Sequence, residues 1–119
     1  MADLTINSLS LNTVKDPTVN DGAATQTLPY VQDGKILVYV LNGDSSNAVR
    51  VKFSAGSFNN SGQGDLDMDL AASADSAVIL ESSRFKTTDG DIDIAITDQD
   101  NSEFTGDEAD VKITVYKLP

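Results

Sequence analysis

Apolar and polar side chains alternate with a period of two along much of this chain, and aspartate, asparagine, serine and glycine cluster between the alternating runs. In Ala48-Val-Arg-Val-Lys-Phe-Ser54, Val49, Val51 and Phe53 point to one face and Arg50 and Lys52 to the other, as in a half-buried strand. Leu66-Asp-Met-Asp-Leu70 alternates in the same way. So do Asp91-Ile-Asp-Ile-Ala-Ile-Thr97 and Asp110-Val-Lys-Ile-Thr-Val-Tyr116, with Ile92, Ile94 and Ile96 inward in one and Val111, Ile113 and Val115 inward in the other. Lys35-Ile-Leu-Val-Tyr-Val-Leu41 is the clearest strand, rich in β-branched and aromatic residues between Asp33-Gly34 and Asn42-Gly43. Ala77-Val-Ile-Leu80 reads as a short apolar strand reached through the small residues 71–76.

Connections follow from the same reading. Asn42-Gly-Asp-Ser-Ser-Asn47 has the composition of a hairpin loop, which pairs strand 35–41 with strand 48–54. Strands 91–97 and 110–116 are expected to pair antiparallel, placing Asp91 and Asp93 on one outer face with Lys112. Residues 66–80 also admit a helix through Leu70, Ala74, Ala77 and Val78. The aspartates and serines inside it are poor helix formers, and alternation fits its first half better. Five or six short strands with turns between them predict an all-β fold: a small antiparallel β-sandwich or jelly-roll-like domain over residues 25–119, preceded by an extended N-terminal arm over residues 1–24.

Two features suit a chain that meets a partner. Residues 36–41 are apolar on both faces, with Ile36, Val38 and Val40 on one and Leu37, Tyr39 and Leu41 on the other, while an antiparallel sandwich buries only one. The arm carries Leu4, Ile6, Leu9 and Leu11 on a background of polar residues, with no evident hairpin partner. Either the arm folds back over the strand, or it reaches a neighbouring subunit. Leu4, Ile6, Leu9, Leu11, Leu37, Tyr39 and Leu41 are therefore the candidate partner-binding residues.

Composition narrows the chemistry. The 119 residues hold no histidine, cysteine or tryptophan, so no His- or Cys-based nucleophile–base arrangement, disulfide or thiolate metal site can be drawn. Nineteen acidic against eight basic residues leave a net charge of −11, which repels phosphate backbones and anionic lipid; neither a nucleic acid nor a membrane is expected as partner. The opening Met1-Ala2-Asp3-Leu4 has no basic, apolar or cleavage region of a signal peptide, so synthesis in the cytosol is expected. Asp98-Gln-Asp100-Asn-Ser102-Glu103 begins like a calcium loop but has Glu103 where glycine is wanted and Ala109 at the closing position; the segment reads as a solvated acidic hairpin loop, the alternative being a loose calcium site on Asp98, Asp100 and Asp107. Asp65, Asp67 and Asp69, and likewise Asp89, Asp91 and Asp93, share strand faces, but alternation puts them on the wet side, whereas an acid–base pair needs a buried carboxyl in a cleft. Gly56, Gly62 and Gly64 lack a phosphate-loop lysine. Arg84-Phe85 reads as packing plus a loop salt bridge, and Tyr30, Tyr39 and Tyr116 make a thin platform for sugar. No enzyme activity and no cofactor are expected.

Asp33-Gly34-Lys-Ile-Leu-Val-Tyr-Val-Leu-Asn42-Gly43 is followed by Ser46-Asn-Ala-Val-Arg-Val-Lys52, then by Ala77-Val-Ile-Leu-Glu-Ser-Ser-Arg84-Phe85, Asp89-Gly90-Asp-Ile-Asp-Ile94 and the closing Val111-Lys-Ile-Thr-Val-Tyr-Lys-Leu118. This order of segments resembles the small proteins that decorate the heads of tailed bacteriophages. It spans roughly residues 25–118; the acidity and the long loop 98–109 depart from the pattern. The resemblance implies a capsid-stabilising virion protein made in the host cytoplasm, seated on the outer surface of a lattice of major capsid protein, often as a homotrimer. The alternatives are a receptor- or carbohydrate-binding β-module, or another phage structural subunit of tail, neck or appendage.

Overall fold

In the computed structural model, which describes residues 2–29 and 35–119, the strands stack as two sheets with one shared interior. Tyr30 and the Asp33-Gly34 turn lie outside the described residues. In chain order the strands are β1 (Ala2–Asp3), β2 (Ile6–Ser8), β3 (Asn20–Asp21), β4 (Thr25–Pro29), β5 (Ile36–Asn42), β6 (Val49–Phe53), β7 (Leu66–Leu70), β8 (Asp75–Ile79), β9 (Asp91–Thr97) and β10 (Val111–Lys117). One short helix, α1 (Ser82–Phe85), separates β8 from β9. The first sheet runs β1-β4-β9-β6-β7 and the second β2-β10-β5-β8, with β3 also paired to β10.

Alternation produces the core directly. Val38 and Val40 of β5 and Ile113 and Val115 of β10 point inward from one sheet. Val49, Val51 and Phe53 of β6 and Ile92, Ile94 and Ile96 of β9 point inward from the other, all of them buried. Burying a side chain of this size contributes roughly 1.5–3 kcal/mol, so these strands account for most of the favourable hydrophobic energy.

Two expected pairings are corrected. Strands β9 and β10 do not pair: β9 lies between β4 and β6, and β10 lies beside β5 in the opposite sheet. Their apolar faces look toward each other across the core, so loop 98–110 spans the interior instead of closing a hairpin. Likewise β5 and β6 are not a hairpin, because residues 43–48 carry the chain from one sheet to the other. Asn42 holds that crossing. Fully buried, it donates from Nδ2 to the carbonyls of Asn47 (2.8 Å) and Ala71 (3.1 Å) and accepts at Oδ1 from the Asp44 amide (3.1 Å). A Cβ on the adjacent Gly43 would stand 2.4 Å from the Asp110 carbonyl oxygen, so only glycine lets the two crossings approach this closely.

The helical alternative for 66–80 is not realised; β7 and β8 occupy it, turning at Ser73 with φ 63°. Strand β4 was not foreseen. Its inward positions are Gln26 and Leu28, and a lone leucine in a polar run gives no periodic signal.

The arm folds back, though not over the outer face of β5. β1 runs parallel to β4 and β2 parallel to β10, so the arm closes one edge of each sheet in turn. Two asparagines fix it. Buried Asn7 donates to the carbonyls of Val115 (2.9 Å) and Thr18 (3.1 Å) and accepts from the Thr18 amide (2.8 Å). Asn20 accepts from the Thr5 amide (2.9 Å) and donates to the Ile113 carbonyl (3.0 Å). Between these ties the chain from Ser10 to Val19 is exposed.

Replacing Asn42 by alanine leaves buried carbonyls unmatched at the crossing, and a loss of about 1–3 kcal/mol in urea unfolding is expected. An unchanged midpoint would show that Asn42 does not hold the crossing.

Candidate interaction surface

The outward side chains of the two sheets differ in kind. On the first sheet the register sets Thr97 beside Arg50 and Asp69, and Ala95 beside Lys52 and Asp67, with Asp93 and Thr27 in the next row. Arg50 takes the Asp69 carboxylate with both Nε (2.8 Å) and Nη2 (3.0 Å), lies 3.5 Å from Asp67 and reaches Asn101 Oδ1. That fork holds the Asp69 carboxyl below its ordinary range and raises the guanidinium. Asp65 receives the Ala55 amide (2.7 Å), and Asp91 the Thr87 hydroxyl (2.6 Å). Asp65, Asp67, Asp69 and Asp91 thus lie on the solvated face, engaged by cations and turn donors.

On the second sheet the outward rows read Tyr116–Leu37–Ile79, Thr114–Tyr39–Ala77 and Lys112–Leu41–Asp75. Leu37, Tyr39, Leu41 and Tyr116 are half-buried, and Ile79 is 55% exposed. The Tyr39 hydroxyl donates to Asp75, and this bond raises the phenol above its ordinary value. A contiguous apolar face with two tyrosines, whose rings bring apolar area and a polar tip, is the kind of surface through which proteins meet partners.

The sequence-derived partner residues are divided by the fold. Leu37, Tyr39 and Leu41 stand together on this face. Leu4 lies in the chain's own core at 3% exposure and offers nothing to a partner, and Ile6 packs partly buried against that core. Leu9 and the 78%-exposed Leu11 line an open depression of about 530 Å³ with Lys117, Leu118 and Pro119, at the end of β10 that carries Tyr116. Tyr116 and Ile79 belong to the face and were missed as partner residues. Tyr116 is legible in hindsight, since it falls on the outward side of the β10 alternation.

The acidic loop binds itself. Asp98 accepts from the Thr105 amide (2.9 Å) and hydroxyl (2.6 Å), Asp100 from the amide and hydroxyl of Ser102, and Asp107 from the Ala109 amide (3.0 Å). Among the described residues no three acidic side chains converge to hold a metal ion. Among the described residues Arg84 has no salt-bridge partner; its guanidinium donates to the carbonyls of Gly64 and Asp65 (both 3.1 Å) and lies 4.9 Å from the ring centre of buried Phe85. No protein-family model, curated protein or solved structure matches this chain.

Among the described residues four carboxyls are held below their ordinary values by local donors: Asp44 by the Asn47 amide group, Asp69 by Arg50, Glu81 by the Ser83 hydroxyl and Asp100 by the Ser102 hydroxyl. Depressed values in the folded chain mean that the stabilisation is present above the unfolded values, about 4, and is lost as pH falls through the folded ones. With no histidine or cysteine, no side chain has an ordinary pKa between about 5 and 8. The urea midpoint is therefore expected to be flat from about pH 5.5 to 8 and to fall below about pH 4. A midpoint that holds steady down to about pH 2.5 would contradict this role for the turn carboxylates.

Proposed function

We propose that this chain is a structural subunit that decorates and stabilises the capsid of a tailed bacteriophage. The observation that carries the reading is the inequality of the two outer faces: one sheet turns paired and solvated carboxylates outward, the other an apolar face of Leu37, Tyr39, Leu41, Ile79 and Tyr116. In this reading the apolar face and the adjoining Leu9–Leu11 depression sit on the major capsid protein. The acidic face looks into solvent, where like charge keeps crowded particles apart. A trimer around a symmetric site of the lattice would add avidity to a modest single contact. The segment order from Lys35 to Leu118 supports the same assignment.

Purified protein is expected to bind expanded, empty capsids of the cognate phage and to raise the temperature at which they disrupt. The double substitution Leu37→Ser and Tyr116→Ser, on the outer face and away from the core, is expected to weaken binding at least about tenfold while the fold persists. Absence of binding by the unaltered chain, or full binding by the double variant, would overturn the assignment.

A further inference from the structure

The two sheets end in four edges, and the chain treats them differently. β1 and β2–β3 are themselves short covers over β4 and β10. β7 carries Asp67 and Asp69 toward the acidic face, and charges along an edge discourage pairing. β8, Asp75-Ser-Ala-Val-Ile79, carries a single charge, Asp75 at its start, has no lysine, proline or glycine and is exposed at four of its five positions.

Its backbone can be oriented from the bonds that bracket the β5–β8 ladder. The Asn42 amide donates to the Ala74 carbonyl (2.8 Å) at one end, and the Leu80 amide to the Ile36 carbonyl (3.2 Å) at the other. In an antiparallel pair, hydrogen-bonded and non-bonded positions alternate, so Ser76 and Val78 turn their N–H and C=O groups to β5. Asp75, Ala77 and Ile79 turn theirs outward, and among the described residues no hydrogen-bond partner meets them. The same residues place their side chains on the apolar outer face, beside Leu41, Tyr39 and Leu37.

We infer that the free edge of β8 receives an extended segment of another protein as an added strand, with apolar side chains at alternate positions and lysine or arginine at its flanks. A row of outward amides and carbonyls is matched by the backbone of a strand. Charge selects which one. Asp75 on the strand and Glu81 just beyond it are the only charged residues of 70–83, so pairing β8 with a second copy would bring like charges together on chains of −11 each. A basic strand gains where a second copy is repelled. The edge borders the apolar face at Ile79, but the added strand engages outward backbone groups of β8 that the proposed capsid contact does not use.

The test uses the full chain, labelled for amide NMR, and two synthetic peptides with the same alternating valine–threonine centre, one flanked by lysines and one by glutamates. The lysine peptide is expected to shift the amides of Asp75, Ala77 and Ile79 more than those of Ser76 and Val78. The glutamate peptide is expected to bind at least about tenfold more weakly, with the difference shrinking as salt rises. Ala77→Pro removes an outward N–H that β5 does not use, and is expected to lower lysine-peptide affinity about tenfold with the β5–β8 ladder retained. Should proline disturb the strand, Ala77→Lys keeps the N–H, sets a cation against the basic peptide and is expected to weaken it likewise. Unmoved amides at all three positions, equal binding of both peptides, or a homodimer that Ala77→Lys dissolves would overturn the inference, the last giving the edge to a second copy.

Discussion

The interior between the two sheets is filled largely by β-branched side chains, with Phe53, from β5, β6, β9 and β10, and each of these strands must present one unbroken apolar row to it. A shift of one residue in any strand would send that row into water, so the register of each ladder is held by the core. This constraint also decides the connections. Strands adjacent in sequence repeatedly end in opposite sheets, so the chain crosses the interior's rim at 43–48, 71–74 and 98–110. At those crossings the polar residues do structural work. Asn42 is buried for its amide, Gly43 is present for lack of a side chain, and Asp44, Asp98 and Asp107 close turns with their carboxylates.

Period-two alternation made most of the strands legible from residues alone, because a strand with one buried face writes its burial into the sequence. Pairing was not legible. Asn42-Gly-Asp-Ser-Ser-Asn47 has the composition of a hairpin loop, and nothing in it records that Asn42 reaches back to the Ala71 carbonyl and turns the chain into the other sheet. β9 and β10 misled for a related reason: two matching inward rows suit neighbours in one sheet as well as partners across a core. β4 escaped because Gln26 is one of its inward residues. The candidate surface divides along the same line. Leu37, Tyr39 and Leu41 were recognisable as a second apolar face on a strand that needs only one. Leu4 has the same sequence appearance as Leu11, and only tertiary pairing with β4 and β10 separates a core residue from an exposed one.

The charge imbalance acquires a physical sense from the sheets. Basic residues are few and several are spent within the fold: Arg50 on Asp69 and Asp67, Lys112 on Asp21, Arg84 on two backbone carbonyls. Others among the described carboxylates, such as Asp44, Asp98, Asp100 and Asp107, accept from turn donors near the surface. One face is thereby left apolar and, among the described residues, one edge left open, on a chain whose arm covers two of the other edges and whose β7 edge carries charge.

Cross-strand Hα–Hα NOEs, assigned for the whole chain, test most directly whether two facing sheets share this interior. The account predicts contacts that tie β10 to β5 and β9 to β4 and β6, with Ile113 near Val40 and Ile96 near Val51, and no ladder of contacts between β9 and β10. A continuous β9–β10 ladder would put both inward rows in one sheet and contradict it.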